Sequence, residues 1–115
     1  MILLDPGHGG RDSGAVHYDA NGNIDLTEKE VNLSIGLKLA DMLRQDGYDI
    51  EMSRTIDSFM IPNASTPPEL QARADAANRV GADLYICIHN NGSTNPALHG
   101  TEVYYCDDRT FSADN

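Results

Sequence analysis

The sequence predicts an α/β fold of three layers, in which a mostly parallel central sheet carries helices on both faces. Short apolar runs alternate along the chain with two longer segments of helical periodicity, the order expected of such a sheet. Each helical segment is followed by a glycine, Gly47 or Gly81, the residue most often found just beyond a helix. The 115 residues are enough for one domain at most.

The first apolar run, residues 1–4, is typical of a short buried strand. The turn-forming sequence of residues 5–7 predicts that this strand ends at residue 4. Several glycines among residues 7–14 and polar residues up to position 23 then predict a loop, with a turn at Asn21-Gly22.

A long helix is predicted from Thr27 onward. Thr27 and Glu30 have the spacing of a capping box, in which the Glu30 side chain reaches back to the Thr27 amide. Gly47 is predicted to be the first residue beyond the helix. Apolar residues at helical spacing predict an inner face that covers much of the circumference. This face comprises Val31, Ile35, Leu39, Met42 or Leu43, and additionally Leu33, Leu37 and Ala40.

A second strand and a second helix follow from the same patterns. Residues 48–53 alternate in polarity and predict a half-buried strand, and residues 55–67 form a polar loop. Pro67 and Pro68 favour the first turn of a helix. Its predicted inner face comprises Leu70, Ala74, Ala77 and Val80.

Two further strands are predicted near the end of the chain. Residues 84–89 have the composition of a central strand, residues 101–106 form a fourth strand, and residues 107–115 are a polar tail. Cys87 and Cys106 fall inside these apolar runs. Buried free thiols are the favoured interpretation, although the sequence is also compatible with a disulfide.

The charge and hydropathy of the chain argue against nucleic-acid binding and against a membrane-spanning segment. The formal net charge is −10, from 18 acidic and 8 basic residues spread along the sequence, which argues against nucleic-acid binding. No apolar run approaches the about 18–20 residues of a membrane span. No signal peptide is visible, because Met1 opens directly onto a strand, so a mature fragment, a cloned domain or a protein released by lysis is expected.

Three residues are candidates for a metal site by their positions. His8 follows the first predicted strand, Glu28 begins the first helix and His89 ends the central strand. Sites in open α/β sheets form beyond the carboxyl ends of strands. Two imidazoles and one carboxylate are a ligand set of catalytic zinc, which leaves a fourth position for water.

Each of the three residues also has an ordinary explanation. His8 fits a solvated side chain in a glycine-rich turn, Glu28 fits an acid favoured by the helix dipole, and His89 fits a hydrogen bond to the backbone. Spacing alone does not show that they converge.

Several segments of the chain, in order, resemble the type 3 zinc-dependent N-acetylmuramoyl-L-alanine amidases. The most specific are the opening Leu-Asp-Pro-Gly-His-Gly-Gly of residues 4–10 and the strand of residues 82–91 that contains His89. The others are residues 12–15, 28–33, 53–55, 70–73, 77–78 and 100–105. The resemblance covers residues 2–105, almost the whole chain.

The resemblance implies an enzyme that cuts peptidoglycan at the amide joining N-acetylmuramic acid to L-Ala of the stem peptide. It implies Zn²⁺ as cofactor, with His8, Glu28 and His89 as ligands, and an extracellular or cell-wall location. Asn32 and Asn91 are expected to support these ligands or to contact substrate. Hydrogen bonding within a helix surface or a turn is the alternative for both asparagines.

The chain departs from the family pattern in three places. The loop between His8 and Glu28 is somewhat long. Cys87 replaces a small serine and is expected on the same strand face as His89, as a packing residue or, alternatively, as a fourth ligand that closes the site. Family domains also continue into a strand whose Glu is the general base, so residues 1–115 are expected to be an incomplete catalytic domain.

No general base is assigned from this sequence, because Glu102 lies in the wrong strand for that role. Two other functions therefore stay open. One is another zinc-dependent hydrolase of wall peptides, such as a carboxypeptidase, and the other is a zinc-containing wall-binding module without turnover. The sequence does not distinguish lysis from cell separation or sporulation, nor does it define an oligomeric state.

Overall fold

The computed structural model describes residues 1–59 and 66–105, with the side chains of residues 66–68 excepted. The elements are β1 (Ile2–Pro6), β2 (Val16–Tyr18), β3 (Ile24–Thr27), α1 (Glu28–Gln45), β4 (Ile50–Met52), α2 (Thr66–Val80) and β5 (Leu84–Ile88). The predictions for Cys106 and for the polar tail at 107–115 lie outside the described residues.

Within the described residues, the main sheet has three parallel strands in the order β4-β1-β5. This arrangement confirms the predicted parallel sheet, but among these strands β1 is central, not the strand predicted at residues 84–89. β1 has a neighbour on each side, and its Leu3 and Leu4 are buried as expected of a strand covered on both faces. Leu84 and Tyr85 of β5 are partly exposed, as suits an outer strand.

β1 ends two residues later than the sequence predicted. Asp5 and Pro6 continue the strand opposite Cys87 and Ile88, and the amide of Gly7 then donates to the Ile88 carbonyl. The proline is tolerated because it stands at the strand end, where a missing donor costs little. This extension carries the following loop to the carboxyl edge of the sheet.

Helices cover both faces of the sheet, which confirms the three-layer architecture. Leu4 packs against Ala40 of α1 and Ile50 of β4 in the buried core. Asp5, the next residue, points to the opposite face because side chains alternate along a strand, and it forms an ion pair there with Arg73 of α2.

The first helix begins at Glu28, as predicted, but its capping bonds differ from a capping box. The Thr27 hydroxyl donates to the Glu30 carboxylate at 2.6 Å, and no side-chain cap bond to the backbone is formed. The amides of Glu28 and Lys29 donate instead to carbonyls of the preceding loop, at residues 15 and 13. The loop thus satisfies the first amides of the helix and is fixed to it.

The inner face of α1 was predicted only in part. Its buried row is Glu28, Asn32, Gly36 and Ala40, whereas Ile35, Leu37 and Met42 are exposed. Gly36 explains the choice of face, because a Cβ there would lie 2.6 Å from Cγ of Pro6, so only glycine permits this close approach to β1. The helix ends as predicted, in a Schellman motif with Gly47 at φ 89°.

The inner face of α2 was also predicted only in part, since Ala77 and Val80 are half-buried. Leu70 is 59% exposed and Ala74 is exposed, while Glu69, Arg73 and Ala76 are buried. The buried carboxylate of Asp5 draws Arg73 toward the sheet, and Glu69 pairs with the same guanidinium at 3.0 Å. An ion pair therefore overrides the apolar pattern.

A hairpin occupies part of the segment predicted as a loop. β2 and β3 pair antiparallel, with an irregularity between His17 and Tyr18, around the predicted turn at Asn21-Gly22. Asp19 stabilises this turn by accepting hydrogen bonds from the amides of residues 21 and 23. Alternating residues on either side of Asn-Gly are a hairpin signal that the sequence analysis missed.

The predicted fourth strand is absent at residues 101–105. Val103, Tyr104 and Tyr105 are more than 80% exposed, and no described strand pairs with this segment. Strand-like composition does not form a strand without a partner. None of the described helices is both long and apolar enough to cross a membrane.

Replacing the buried Asp5 by alanine is expected to lower the free energy of unfolding by about 3 kcal/mol, because buried Arg73 loses one of its two carboxylate partners and keeps only Glu69. Ser53 and Tyr85 lose the same hydrogen-bond acceptor. Urea unfolding measures the change. The control is Asp41→Ala, which breaks an exposed pair with Arg44 and should cost less than about 0.5 kcal/mol. Equal losses in the two variants would contradict the prediction.

Candidate metal site

The structure brings His8, Glu28 and His89 together. One donor atom from each lies within 4.8 Å of the other two. Oε1 of Glu28 is 3.2 Å from Nε2 of His8 and 3.0 Å from Nδ1 of His89. The two imidazole rings are nearly perpendicular, with centroids 4.7 Å apart. The three residues that the sequence selected by position thus form one cluster.

The fold places each of the three residues at the same edge of the sheet. His8 follows β1 by two residues and His89 follows β5 directly, while Glu28 is the first residue of α1. His8 has a φ of 61°, a left-handed conformation that is uncommon for a residue with a Cβ. Strained backbone of this kind is typical of functional sites.

Asp12 orients His8 toward the cluster. Its Oδ2 lies 2.9 Å from Nδ1 of His8, so Nε2 of the same ring is the nitrogen directed at Glu28. Burial alone would raise the pKa of Asp12, but its contacts with His8 and the Gly14 amide lower it. A carboxylate behind a histidine is the usual partner of a metal-binding imidazole. Asp12 lies in the family-like segment of residues 12–15, but its contact with His8 was not predicted from the sequence.

Glu28 is held as a carboxylate by donors from two loops. The Ala15 amide donates to Oε2 at 2.9 Å, and the Asn90 amide donates to Oε1 at 3.0 Å. Burial by itself would raise the pKa of Glu28, but these two bonds, the His89 side chain and the charge of His8 lower it to about 2. The side chain therefore carries its negative charge throughout the neutral range.

Asn32 lies behind Glu28 rather than at the surface. It is fully buried and donates to the Gly7 carbonyl at 3.1 Å and to Oε1 of Glu28 at 3.4 Å. Its Oδ1 accepts a hydrogen bond of 2.7 Å from the Asn90 side chain. Asn32 thus contacts a candidate ligand but is not accessible to substrate, and Asn90 is a supporting residue that the sequence analysis missed.

Asn91 lies at an open groove beside the cluster. The residue is exposed, and the groove has a volume of about 180 Å³. The β2–β3 hairpin and the start of α1 form the rest of its wall. The lining residues are Ala15, Val16, His17, Leu26, Thr27, Glu28, Val31, Asn90 and Asn91.

Cys87 does not belong to the cluster. Its Sγ lies 3.5 Å from Oδ2 of Asp5, and within the described residues the metal-binding group contains only the two histidines and Glu28. The prediction of a buried thiol was wrong, because Cys87 is exposed, and His89 lies directly after the strand that contains Cys87. Although the residue as a whole is exposed, its thiol lies against Asp5, and the partial loss of water there, with the Asp5 charge, raises the pKa of Cys87 to about 11.

The donor set and the space around it fit a zinc ion. Zinc ligands at about 2.0–2.2 Å from the metal must lie within roughly 4 Å of one another, which small rotations of these side chains achieve. Two glycines leave room for them. A Cβ on Gly14 would lie 2.6 Å from Oε2 of Glu28, and a Cβ on Gly7 would lie 2.4 Å from the His89 ring.

Removing the Asp12 carboxylate is expected to weaken zinc binding by about 10–100-fold, because His8 loses the partner that fixes its ring. The variant is Asp12→Ala, and competition with a chromophoric chelator gives the dissociation constant. Asp25→Ala is the matched control, since it removes the partner of the exposed His17 at 2.6 Å. An unchanged affinity in Asp12→Ala would show that His8 needs no such support.

These observations define the class of protein as an α/β sheet with a candidate metal site of two imidazoles and one carboxylate at its carboxyl edge. Comparison with known proteins specifies the family. Residues 2–115 match the Amidase_3 model, described as N-acetylmuramoyl-L-alanine amidase. The chain therefore belongs to the N-acetylmuramoyl-L-alanine amidase family, as the sequence motifs predicted.

Two relatives illustrate the extent of the match. AmiA of Salmonella typhimurium, an N-acetylmuramoyl-L-alanine amidase, is 39% identical over 113 residues, which are 98% of this chain and 35% of AmiA. LytC of Bacillus subtilis, another such amidase, is 39% identical over 99% of this chain and 20% of LytC. The chain thus spans about a third of the length of AmiA and about a fifth of LytC.

Solved structures show the same fold. The CwlD amidase of Clostridioides difficile, determined in complex with the GerS lipoprotein, has a TM-score of 0.78 and 29% identity, over 94% of this chain and 56% of CwlD. The amidase AmiC2 of Nostoc punctiforme has a TM-score of 0.61 and 35% identity, over 82% of this chain and 45% of AmiC2.

Proposed function

We propose that this chain is the metal-binding part of a zinc-dependent peptidoglycan amidase. The bond cleaved is the amide between N-acetylmuramic acid and L-Ala of the stem peptide. The observation that carries the proposal is the cluster of His8, Glu28 and His89. Membership in a family described as N-acetylmuramoyl-L-alanine amidases supports the substrate.

His8, Glu28 and His89 would hold the zinc. When bound, zinc supplies Lewis-acid polarisation of the amide carbonyl and a water molecule of lowered pKa. Glu28 contributes a fixed negative charge, and Asp12 sets the ring orientation of His8. The His89 side chain is 42% exposed, so the cluster is open to a large polymeric substrate on that side.

The general base is assigned to a carboxylate outside the described residues. Asp12 is occupied by His8, and Glu102 is exposed and accepts a hydrogen bond from Tyr104 at 2.9 Å. The resemblance assigns this role to a Glu in a strand that follows the matched segments. Residues 1–115 are on this proposal the first part of the catalytic domain, acting in an extracellular or cell-wall location.

The groove beside Glu28 is proposed to receive part of the substrate. Asn90 and Asn91, which follow β5, offer hydrogen-bonding groups at the rim of the groove. Val16, Leu26 and Val31 supply its apolar walls. Stem peptides contain both methyl and amide groups, which match such a lining. Asn32 is assigned a supporting role because it is buried behind Glu28.

The test measures zinc content and the release of stem peptides from purified peptidoglycan, in a wild-type protein that contains the complete catalytic domain and in its Glu28→Ala variant. The expected result is about one equivalent of zinc and peptides with a free L-Ala amine, with both lost in the variant. Glu30→Ala is the matched control, because Glu30 is an exposed acid in the same helical turn. Released D-amino acids would instead indicate a carboxypeptidase. Zinc without any product would indicate a wall-binding module.

A further inference from the structure

Two buried arginines bind the backbone of the loop that carries His8. Arg54, which follows β4, is 5% exposed, and Arg73 of α2 is 4% exposed. Between them they donate hydrogen bonds to three consecutive carbonyls, those of Pro6, Gly7 and His8. Arg73 is neutralised by Asp5 and Glu69, so its contacts are explained by an ion-pair network. Arg54 is different.

Within the described residues, the four hydrogen bonds that Arg54 donates go to backbone carbonyls. Nε donates to Pro6 at 2.8 Å, and Nη2 donates to Gly7 at 3.0 Å and to Lys29 at 2.8 Å. Nη1 donates to Ile56, two residues along, at 3.2 Å. The planar guanidinium is the only side chain that has enough donors in a fixed fork for this pattern.

The carbonyls that Arg54 joins belong to two separate ligand-bearing segments. Pro6 and Gly7 precede His8, and Lys29 follows Glu28. Nη2 alone bridges Gly7 and Lys29, so a single nitrogen links the loop of the first candidate ligand to the helical turn of the second. The stem of Arg54 also lies under the loop, since a Cβ on Gly9 would be 3.1 Å from Cδ of Arg54.

The loop conformation that Arg54 holds is strained. His8 has a positive φ of 61°, and the buried Gly9 has a φ of 138°. A residue with a Cβ adopts such a φ only when the surrounding structure enforces it. The two hydrogen bonds that Arg54 donates to the Pro6 and Gly7 carbonyls act on the backbone immediately before the strained residue.

We infer that Arg54 is a positioning residue that sets the separation of His8 and Glu28 through their backbones and so prepares the site for its metal. The inference rests on the proposed function for the identity of the metal. The role of Arg54 in holding the loop is independent of the proposed function, because Arg54 contacts the loop in the metal-free protein.

The experiment compares Arg54→Lys and Arg54→Ala with the wild-type protein by two measurements. The first is the zinc dissociation constant from chelator competition. The second is amide hydrogen exchange at Gly9 and Asp12 in metal-free protein, because each of these amides donates to the carbonyl of the other. We expect zinc affinity to fall by about 10–100-fold in both variants, and both amides to exchange faster.

Two controls separate positioning from a general loss of stability. Arg44→Ala removes an arginine whose bond to the Ile50 carbonyl lies far from the cluster in the fold. Ile50→Ala lowers stability through the hydrophobic core without touching the loop. Zinc affinity and exchange at Gly9 should stay within about twofold of wild type in Arg44→Ala, and in Ile50→Ala once the protein is folded.

The outcomes are distinguishable from those of the proposed function. If Ile50→Ala, at an equal loss of stability, loses as much zinc affinity as the Arg54 variants, the inference is overturned. It is also overturned if both folded variants match the wild-type protein in affinity and exchange. If Arg54→Ala does not fold, Arg54→Lys decides. If wild-type protein binds no zinc, the proposed function fails, and exchange at Gly9 and Asp12 still tests the role of Arg54.

Discussion

Replacing His89 by alanine is expected to abolish stoichiometric zinc binding and to lower kcat/KM for peptidoglycan by at least about 10³-fold. On the proposed function, a zinc ion bound in the complete catalytic domain would supply several kcal/mol of transition-state stabilisation, and each 1.36 kcal/mol corresponds to about tenfold in rate. His89 provides one of the three donor groups that the described residues bring together, so the two that remain form an incomplete site. Elemental analysis after dialysis and a stem-peptide release assay measure the two losses.

The substitution should leave the fold intact, because His89 lies beyond the end of β5 and its side chain is 42% exposed. Urea unfolding in the presence of a chelator tests this point. His99→Ala is the matched control, since His99 is an exposed histidine in the following loop. Full zinc occupancy in a folded His89→Ala protein would exclude His89 as a ligand and remove the basis of the proposed function.

The positions of the candidate ligands were predictable because they depend on chain order more than on packing. A strand followed by a glycine-rich turn places His8 at a carboxyl edge, and a second parallel strand brings His89 to the same edge. The start of a helix is also visible in sequence, which located Glu28. Convergence still required the structure, since sheet order determines which strand ends are neighbours.

The polar support of the site was not predictable from periodicity. Pattern analysis selects apolar residues for the inner face of a helix, yet Asn32 and Arg73 face the sheet and Ile35 and Leu70 do not. The reason is that leaving a buried carboxylate, Asp5 or Glu28, without a hydrogen-bond donor costs more free energy than exposing one apolar side chain. Buried polar pairs between distant segments leave no period in the sequence.

The hairpin shows a second limit of the sequence analysis. Its strands have only three and four residues, and Tyr18, Ile24 and Leu26 are more than half exposed, so they do not resemble core strands. Its position follows from backbone hydrogen bonds. The carbonyls of residues 13 and 15 accept from the first amides of α1, and the Ala15 amide donates to the Glu28 carboxylate. Long-range backbone bonds of this kind cannot be derived from local composition.

Replacing Gly14 by alanine is expected to prevent zinc binding at micromolar metal without unfolding the protein. The new Cβ would lie 2.6 Å from both Oε2 of Glu28 and Cδ2 of His8, well inside contact distance. The Glu28 carboxylate is held by the Ala15 amide and the His8 ring by Asp12, so neither can move away without leaving its position in the cluster. We expect an affinity loss on the order of 10³-fold or more, beyond that from losing one supporting contact.

Gly22→Ala is the control that separates crowding from backbone strain. Gly14 and Gly22 both have a positive φ, of 62° and 81°, so either substitution should cost about 1 kcal/mol of stability. No atom lies within 4 Å of a Cβ on Gly22, and it stands at the tip of the hairpin. Zinc titration of the two variants, matched for stability by urea unfolding, should therefore show normal binding in Gly22→Ala and none in Gly14→Ala. Equal affinities would mean that the metal is bound elsewhere than between His8 and Glu28.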